Sequence, residues 1–212
     1  MNKETMNIHK ALVELKTLES RITKSISGAT FIVANKHANT KIGGKNIADY
    51  CEDIKDGYKS INDLIRRRDA IKRAVVLSNA VTKVVVGGVE YTVAEAIDMK
   101  NHGVEFLRRL LSKMSSDYAT AQRVCDINNA KLVDDANAHV VRTFSTTDLK
   151  NAGDMVNTER DRYIELNTYE LVDPIKVKEV VEALEKQVNN FLSEVDAALS
   201  TSNATTEITF EY

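Results

Sequence analysis

Apolar residues recur at every third or fourth position along most of this chain, which is the spacing of a helix that buries one stripe. The first stripe predicts a helix over about residues 4–26, and its members are Ile8, Leu12, Leu15, Leu18, Ile22 and Ile26. The second stripe shifts phase before its last two members, as a stutter does in a coiled coil. Its members are Ile47, Cys51, Ile54, Tyr58, Ile61, Ile65, Ile71 and Val75.

A β-hairpin is predicted after the second stripe, in the sequence TKVVVGGVEYTV. Its two apolar runs flank Gly87-Gly88, and adjacent glycines supply the positive φ angles of a two-residue hairpin turn. Thr92 and Glu95 then form a T-x-x-E capping box, in which each side chain accepts a hydrogen bond from the other residue's backbone N–H. The hairpin, over residues 82–93, is therefore expected to lead directly into a third helix.

The third stripe is the longest and keeps one register from Val93 to Leu132. Its apolar members are Val93, Ile97, Val104, Leu107, Leu111, Met114, Tyr118, Ala121, Cys125 and Leu132. Such a seam predicts a long helical hairpin or coiled coil, with the second and third helices folded back on each other and the β-hairpin at the reversal. Lys100 and Asn128 occupy two seam positions, where they either fix the register or are exposed because the seam has opened.

A fourth helix is predicted after Asp173-Pro174, because Asp is a good N-cap and Pro is tolerated at the first helical position. Its stripe is Val177, Val181, Leu184, Val188, Phe191, Val195 and Ala198, and Asn203 is the expected stop.

The stretch from 142 to 173 has the weakest pattern of the chain. It could hold a weak helix capped at Thr147 or Asp148, followed by an extended run over YIELNTYELV, residues 163–172.

Two further runs are of strand type: ATFIVA, residues 29–34, and TEITFEY, residues 206–212. We expect both to join the hairpin in one small antiparallel sheet, with an open edge to which a neighbouring chain can add a strand. The predicted fold is mainly α: a single elongated helical domain over 1–212, built as a long antiparallel helical hairpin or coiled-coil bundle with this sheet at one end. The candidate interaction residues are Ile208, Phe210, Tyr212, Val84, Val86 and Tyr91.

An internal echo relates the segment from Gly43 to Lys55 to the segment from Gly87 to Lys100. Both begin with Gly-Gly and continue through an Ala-acidic step to Ile and Lys. The echo indicates either an ancient duplication of a helix–strand–helix unit or chance similarity, although the Asn- and Gly-rich stretch 35–46 by itself is typical of a loop.

Composition narrows the class of protein. Hydrophobic residues make up 43% of the 212 residues, and a single proline leaves few positions closed to helix. The net charge of −2 provides no overall field that would attract nucleic acid or an anionic membrane. The N-terminal MNKETMNIHK lacks the apolar core of a signal peptide, so we expect the protein to stay inside the cell.

The chain shows no catalytic, cofactor or metal motif. Cys51 and Cys125 stand alone at stripe positions, which favours reduced core residues over a disulfide or a metal site. The four histidines (His9, His37, His102 and His139) share no ligand spacing. The basic run from Arg66 to Arg68 is interleaved with acids, which favours a solvated helix face over a phosphate site.

Two segments carry a resemblance to known proteins. The stretch INDLIRRRDAIKRAVVLSNAVTKVVVGGVEYTVAEAIDMK and the later LVDPIKVKEVVEALEKQVNNFLSEVDAALSTSNATT resemble a family of virion-associated structural proteins of tailed bacteriophages. The shared phrases are N-x-L-I-x-R-R, Y-T-V-A-E-A-I and E-V-D-x-x-L-S-x-S-N-A-T-T. More distantly, the final helix and its N-x-T-T tail resemble the bacterial septicolysin-like family.

The resemblance implies a helical structural or assembly protein of a phage particle and offers no catalytic residue. It leads us to expect a non-enzymatic protein without a cofactor, which assembles in the host cytoplasm and resides in the virion. The expected partners are other virion or assembly proteins and further copies of the chain, with no membrane and no nucleic acid. The alternative is a cytoplasmic helical enzyme or toxin-like protein of the septicolysin-like type, with a site in 142–173.

Overall fold

A computed structural model describes residues 3–145 and 153–212, and 74% of these residues are helical. The helices are α1 (Ile8–Gly28), α2 (Ile47–Val81), α3 (Val93–Asp98), α4 (Val104–Phe144), α5 (Asp154–Asn167) and α6 (Val177–Thr205). The strands are β1 (Lys3–Asn7), β2 (Lys41–Ile42), β3 (Lys45–Asn46), β4 (Lys83–Val86), β5 (Val89–Thr92) and β6 (Glu207–Glu211). The predicted mainly α class with small antiparallel sheets is confirmed.

The strands pair in three separate antiparallel ribbons: β1 with β6, β2 with β3, and β4 with β5. The hairpin predicted at 82–93 is present as β4–β5. The single shared sheet is wrong, because 29–34 forms no strand and the C-terminal strand pairs with residues 3–7. The reason is competition for partners: β1 offers β6 a full five-residue register, from Lys3 opposite Glu211 to Asn7 opposite Glu207.

The first helix begins later than its apolar stripe predicts. The side chain of Asn7 accepts a hydrogen bond from the backbone N–H of Lys10 at 2.9 Å and so caps α1. The backbone N–H of Ile8 donates to the carbonyl of Thr206, which continues the β1–β6 ladder to the start of the helix. The cap therefore releases residues 3–7 for strand pairing.

The chain divides into two compact units, where the sequence predicts one domain. The first unit comprises Met1–His102 with Asn190–Tyr212, and the second comprises Gly103–Asn189. In the first unit, α1, α2 and the β1–β6 ribbon enclose the main core, which consists of Ile8, Ala11, Leu15, Leu18, Ile71, Val75, Ile208 and Phe210. In this unit α2 packs along α1 and β6. It also contacts α3, which is the first part of the third predicted helix.

In the second unit α4 packs against α5, and the predicted extended run over 163–172 is wrong for its first part. Residues 163–167 complete α5, because the helix that begins at Asp154 continues without a breaker. The side-chain amide of Asn129 then exchanges two 2.9 Å hydrogen bonds with the backbone of Tyr169, as a neighbouring strand would. The caps proposed at Thr147 and Asp148 lie outside the described residues.

The last helix begins after the predicted N-cap. The carboxylate of Asp173 accepts from the backbone N–H of Val177 at 2.9 Å, so this residue does cap α6. The first helical residue is Val177 instead of Pro174, because residues 174–175 form a turn and Lys176 has a φ of +56°.

A π-helical turn, Met99–Gly103, interrupts the long third seam between α3 and α4. An extra residue in a helical turn shifts the buried face. Ala96 before the turn and Val104 after it are buried, whereas Ile97 is exposed. Lys100 bonds to Asp196 on α6, and Asn128 donates to the carbonyl of Val124 in its own helix. The geometry of Asn128 does not support a register-fixing role.

Both Gly-Gly pairs form tight hairpin turns. All four glycines have positive φ, between +57° for Gly43 and +85° for Gly44. The β2–β3 hairpin was expected to be loop, but like β4–β5 it runs directly into a helix. The echo in the sequence therefore corresponds to a repeated hairpin–helix element, of which the second copy has the predicted capping box between Thr92 and Glu95.

The turn geometry predicts opposite effects for two glycine-to-alanine substitutions. Gly87→Ala should lower the free energy of unfolding by about 1–2 kcal/mol, because an L-residue is strained at a φ of +60°. The new methyl would meet the Phe191 backbone nitrogen at 3.4 Å, an ordinary contact, so the cost comes from φ.

Gly57→Ala is the matched control, because Gly57 lies inside α2 and no described residue comes within 4 Å of the added methyl. It should raise the free energy of unfolding by about 0.5–1 kcal/mol. Urea denaturation of both variants measures the difference, and equal effects of the same sign would contradict the assigned turn.

Candidate interaction surface

The six candidate interaction residues fall into two groups within the first unit. Ile208 and Phe210 of β6 are buried in the main core, and Tyr212 packs against it. Val84 and Val86 of β4 are buried, and the Tyr91 ring packs edge-on against Phe191 of α6 at 5.7 Å. These side chains stabilise the protomer itself, so they are not a free docking surface. What remains available at β6 is its outer backbone edge.

A half-buried arginine joins the elements around β6. Arg67 of α2 donates from its two terminal nitrogens to Glu4 of β1, at 2.8 and 2.7 Å, and from Nε to Glu14 of α1. Its guanidinium carbon lies 4.6 Å from the centre of the Tyr212 ring and 5.7 Å from that of Phe210. We call these five residues the Arg67 cluster. It ties both terminal strands to the two helices beneath them.

The Arg67 cluster shifts the acidity of its carboxylate. The hydrogen bonds from Arg67, and then the one that the Tyr212 hydroxyl donates at 2.7 Å, lower the pKa of Glu4 from 4.5 to about 2. Hydrogen bonds to Glu4 and Glu14 raise the pKa of Arg67, which keeps its charge. The cluster is therefore an ionised network down to acidic pH.

The β4–β5 hairpin packs against α6 at Phe191 and Glu194. The backbone N–H of Gly87 donates to the Glu194 carboxylate of α6 at 2.8 Å. Tyr91 contacts Phe191 on the same helix, and Gly87 lies beside the backbone of Phe191. The hairpin thus packs against the part of α6 that belongs to the first unit.

The outer edge of β6 carries backbone groups that point away from β1. In an antiparallel ladder, hydrogen-bonded and non-hydrogen-bonded pairs alternate. The bond from Ile8 N–H to Thr206 sets this phase, so the pairs at Ile208 and Phe210 are hydrogen-bonded. The N–H and carbonyl groups of Glu207, Thr209 and Glu211 consequently face the open edge.

A groove of about 450 Å³ lies between this edge and α2. Its helical wall is one face of α2, with residues spaced by three and four positions: Arg66, Asp69, Ala70, Arg73, Ala74 and Leu77. The other wall is Thr209–Tyr212 of the C-terminal strand segment. Leu77 is 63% exposed, so the groove presents apolar surface to its surroundings. We call it the α2–β6 groove.

The segment 29–34 is exposed and unpaired, although its composition is that of a strand. Ile32 is 88% exposed, and Phe31 and Val33 are exposed on either side of it. Phe31 meets the ring of Tyr58 edge-on at 6.4 Å, which places the segment beside the N-terminal half of α2. This is a contiguous apolar patch, which is more informative than scattered exposed residues.

The second unit contains a cleft of about 340 Å³ between α4 and the segment that precedes α6. Tyr118, Ala121 and Cys125 line it from α4, and residues 169–173 line it from the other side. This cleft includes part of the region 142–173 in which the alternative function places its site. Elsewhere in the second unit, His139 stacks on Tyr163 at 4.7 Å and contacts Glu159 at 3.1 Å.

The chemistry-bearing residues singled out in the sequence are dispersed or paired locally. Arg68 bonds to Glu19 and Asp69, and Arg66 lies 3.9 Å from Asp63. The basic run is therefore largely neutralised by its own neighbours. Both cysteines are free, but Cys51 is exposed, so its predicted core position is wrong. The reason is that its end of the α2 stripe faces outward.

The described residues hold neither a metal-binding cluster nor a membrane-spanning helix. Within 3–145 and 153–212, no group of three or more His, Cys, Asp or Glu side chains is placed to hold a metal ion. Among the helices of this described part, none has the length and apolar character needed to cross a membrane.

The Arg67 cluster was not predicted. Its acidic members, Glu4 and Glu14, lie in two elements that the sequence predicts as one helix. Its aromatic members lie some two hundred positions later in the chain. One signal could have indicated the strand that carries Glu4: the apolar residues Met6 and Ile8 alternate with polar residues at the N-terminus. In the structure Met6 lies opposite Ile208 in the ladder.

Comparison with models of known protein families, with curated proteins and with solved structures finds no match to this chain.

The lowered pKa of Glu4 predicts an acid-dependent loss of stability. The unfolded chain binds a proton at this carboxyl below about pH 4.5, whereas the folded chain resists protonation to about pH 2. The contribution of Glu4 is therefore complete above pH 4.5 and is lost as the pH falls towards 2. Glu4→Gln should be less stable than the wild type at neutral pH, and the difference should shrink across this window.

Urea unfolding at a series of pH values measures that difference. Glu211→Gln, at an exposed position on the same ribbon, is the matched control variant. A Glu4→Gln effect that stays constant down to about pH 2 would contradict the assigned ionic pairing.

Proposed function

We propose that this protein is a structural or assembly component that acts through protein–protein contacts, with a bacteriophage particle as its setting. It works without catalysis and binds further virion or assembly proteins and copies of itself.

The observation that carries the proposal is the amount of large apolar surface that the described residues leave uncovered. In 3–145 and 153–212, 25 large hydrophobic side chains are exposed, against 21 buried hydrophobic residues, three of which are alanines. Single exposed apolar side chains are normal on a soluble protein, but adjacent ones mark interaction sites. The run Phe31–Val33 and the groove-lining Leu77 are of the second kind.

The phage setting rests on the resemblance described above. The quoted phrases fall on structural features of this chain: the first on the Arg67 turn of α2, the second on β5 and α3, and the third on the last turns of α6. These segments belong to the first unit, and the first of them contains Arg67, which holds the β1–β6 ribbon against α2. The resemblance therefore concerns the part of the molecule to which we assign the contacts.

A second candidate function is favoured by the cleft in the second unit. A volume of about 340 Å³ is within the range of small-molecule sites, and Tyr118 and Cys125 offer it polar atoms. In this alternative the protein is a cytoplasmic enzyme or a toxin-like protein of the septicolysin-like type, with its site in and beside 142–173.

The test of the leading proposal is physical association with particles. Phage particles and their assembly intermediates, banded in a density gradient, should contain the protein at a constant ratio to the major head or tail protein. Quantitative mass spectrometry across the gradient measures that ratio, with an abundant host protein of similar mass as the control. Recovery of the whole pool in the soluble fractions would contradict the proposal.

The test of the alternative is ligand binding at the cleft. Ala121→Phe should fill the cleft, since Ala121 lines it from an exposed position on α4. If the alternative holds, small molecules that raise the melting temperature of the wild type should lose that effect in Ala121→Phe and keep it in Phe106→Ala, which changes an exposed residue of the same helix. Compounds that stabilise all three proteins equally do not bind the cleft.

A further inference from the structure

We infer that copies of this chain join head to tail by strand addition: residues 29–34 of one copy bind along β6 and in the α2–β6 groove of the next. The inference rests on the proposed function and adds to it the partner, the two surfaces and the direction of assembly.

The donor is the segment ATFIVA. It consists largely of β-branched, aromatic and small residues, which favour a strand wherever a ladder is offered. Within residues 3–145 and 153–212 the segment pairs with no strand, and Ile32 remains 88% exposed. A second chain can therefore pair with it at little cost in existing contacts.

The acceptor combines the open edge of β6 with the apolar part of the helical wall of the α2–β6 groove. The outward backbone groups of Glu207, Thr209 and Glu211 can form a ladder with an added strand. Alternate side chains of that strand would then face the α2 wall at Ala70, Ala74 and Leu77. Six strand residues span roughly 20 Å, and the α2 face from 66 to 77 spans roughly 17 Å, so the segment and the groove match in length.

The two surfaces belong to different ends of one helix, so a chain cannot satisfy its own groove. Phe31 is held beside Tyr58, whereas the groove floor is centred near Ala74. Sixteen residues of helix separate Tyr58 from Ala74 by roughly 24 Å. A contact between two different surfaces of identical chains is heterologous, and when it is not returned within the same pair of chains it generates rings or filaments.

Charge complementarity favours a second copy over an arbitrary peptide. The stretch 29–48 contains Lys36, Lys41 and Lys45 and no acidic residue. The acceptor strand carries the exposed acids Glu207 and Glu211, one at each end. The lysine that follows the donor segment therefore meets a carboxylate in either strand direction. The arginines on the helical wall face donor residues that carry no charge.

Sedimentation velocity of the full chain over a concentration series tests the inference. The wild type should form a series of species larger than a dimer. Ile32→Asp removes the donor, and Leu77→Asp removes the acceptor; both residues are exposed, so both variants should keep the wild-type melting temperature. Each variant alone should associate at least about tenfold more weakly. Phe106→Asp, an equally exposed apolar position in the second unit, should behave as the wild type does.

Mixing the two variants gives the sharpest result. Ile32→Asp retains an intact groove and Leu77→Asp retains an intact segment, so the mixture should form a one-to-one heterodimer and nothing larger. Thr209→Pro is a second acceptor variant, which removes an outward N–H that an edge strand can lose. It should pair with Ile32→Asp in the same way.

Three results would overturn the inference: a wild type that remains monomeric at all concentrations, variants that associate as the wild type does, or a mixture that rebuilds the long series. If the groove binds a different protein and no second copy of the chain, the wild type stays monomeric, which is the first of these results. None of them bears on co-purification with particles, so the proposed function and the inference can fail separately.

Discussion

The pairing of Arg67 is the interaction on which the first unit depends. A half-buried cation is tolerated only when its charge and its hydrogen bonds are compensated, and here Glu4 and Glu14 do so from two different elements. A two-stranded ribbon is marginal by itself. The β1–β6 ribbon persists because Phe210 enters the core and its cross-strand partner Glu4, on the same face, accepts hydrogen bonds from Arg67. Removal of either support would weaken the other.

This arrangement also explains why one edge stays open. The ribbon has two strands, and the core needs only the inner face of β6, so the outer backbone groups of that strand are not used in folding. The helix beneath is long enough to have two functions. Residues such as Ile71 and Val75 face the core, whereas the face at Ala74 and Leu77 lies beside the open strand.

The elements that the sequence predicted correctly are those whose determining residues lie within a few positions of one another. The β4–β5 hairpin and the capping box follow from Gly87-Gly88 and from Thr92, which act within a few residues. The β1–β6 pairing could not be predicted, because its strands lie at opposite ends of the sequence and β1 directly precedes an apolar helical stripe. The segment 29–34 shows the converse: strong strand propensity produced no strand, since a strand requires a partner. The six candidate interaction residues pack within the protomer, and the open backbone edge of β6 beside three of them depends on that non-local pairing.

An open edge is ordinarily a hazard, because it can pair with any other edge. Two β6 strands that met antiparallel about Thr209 would place Glu207 of one directly opposite Glu211 of the other, and like charges in that position destabilise a ladder. The same acids would attract the lysine beyond a neutral segment such as 29–34. Charge therefore disfavours symmetric pairing of two β6 edges and favours the asymmetric contact, which is the kind that can repeat from copy to copy.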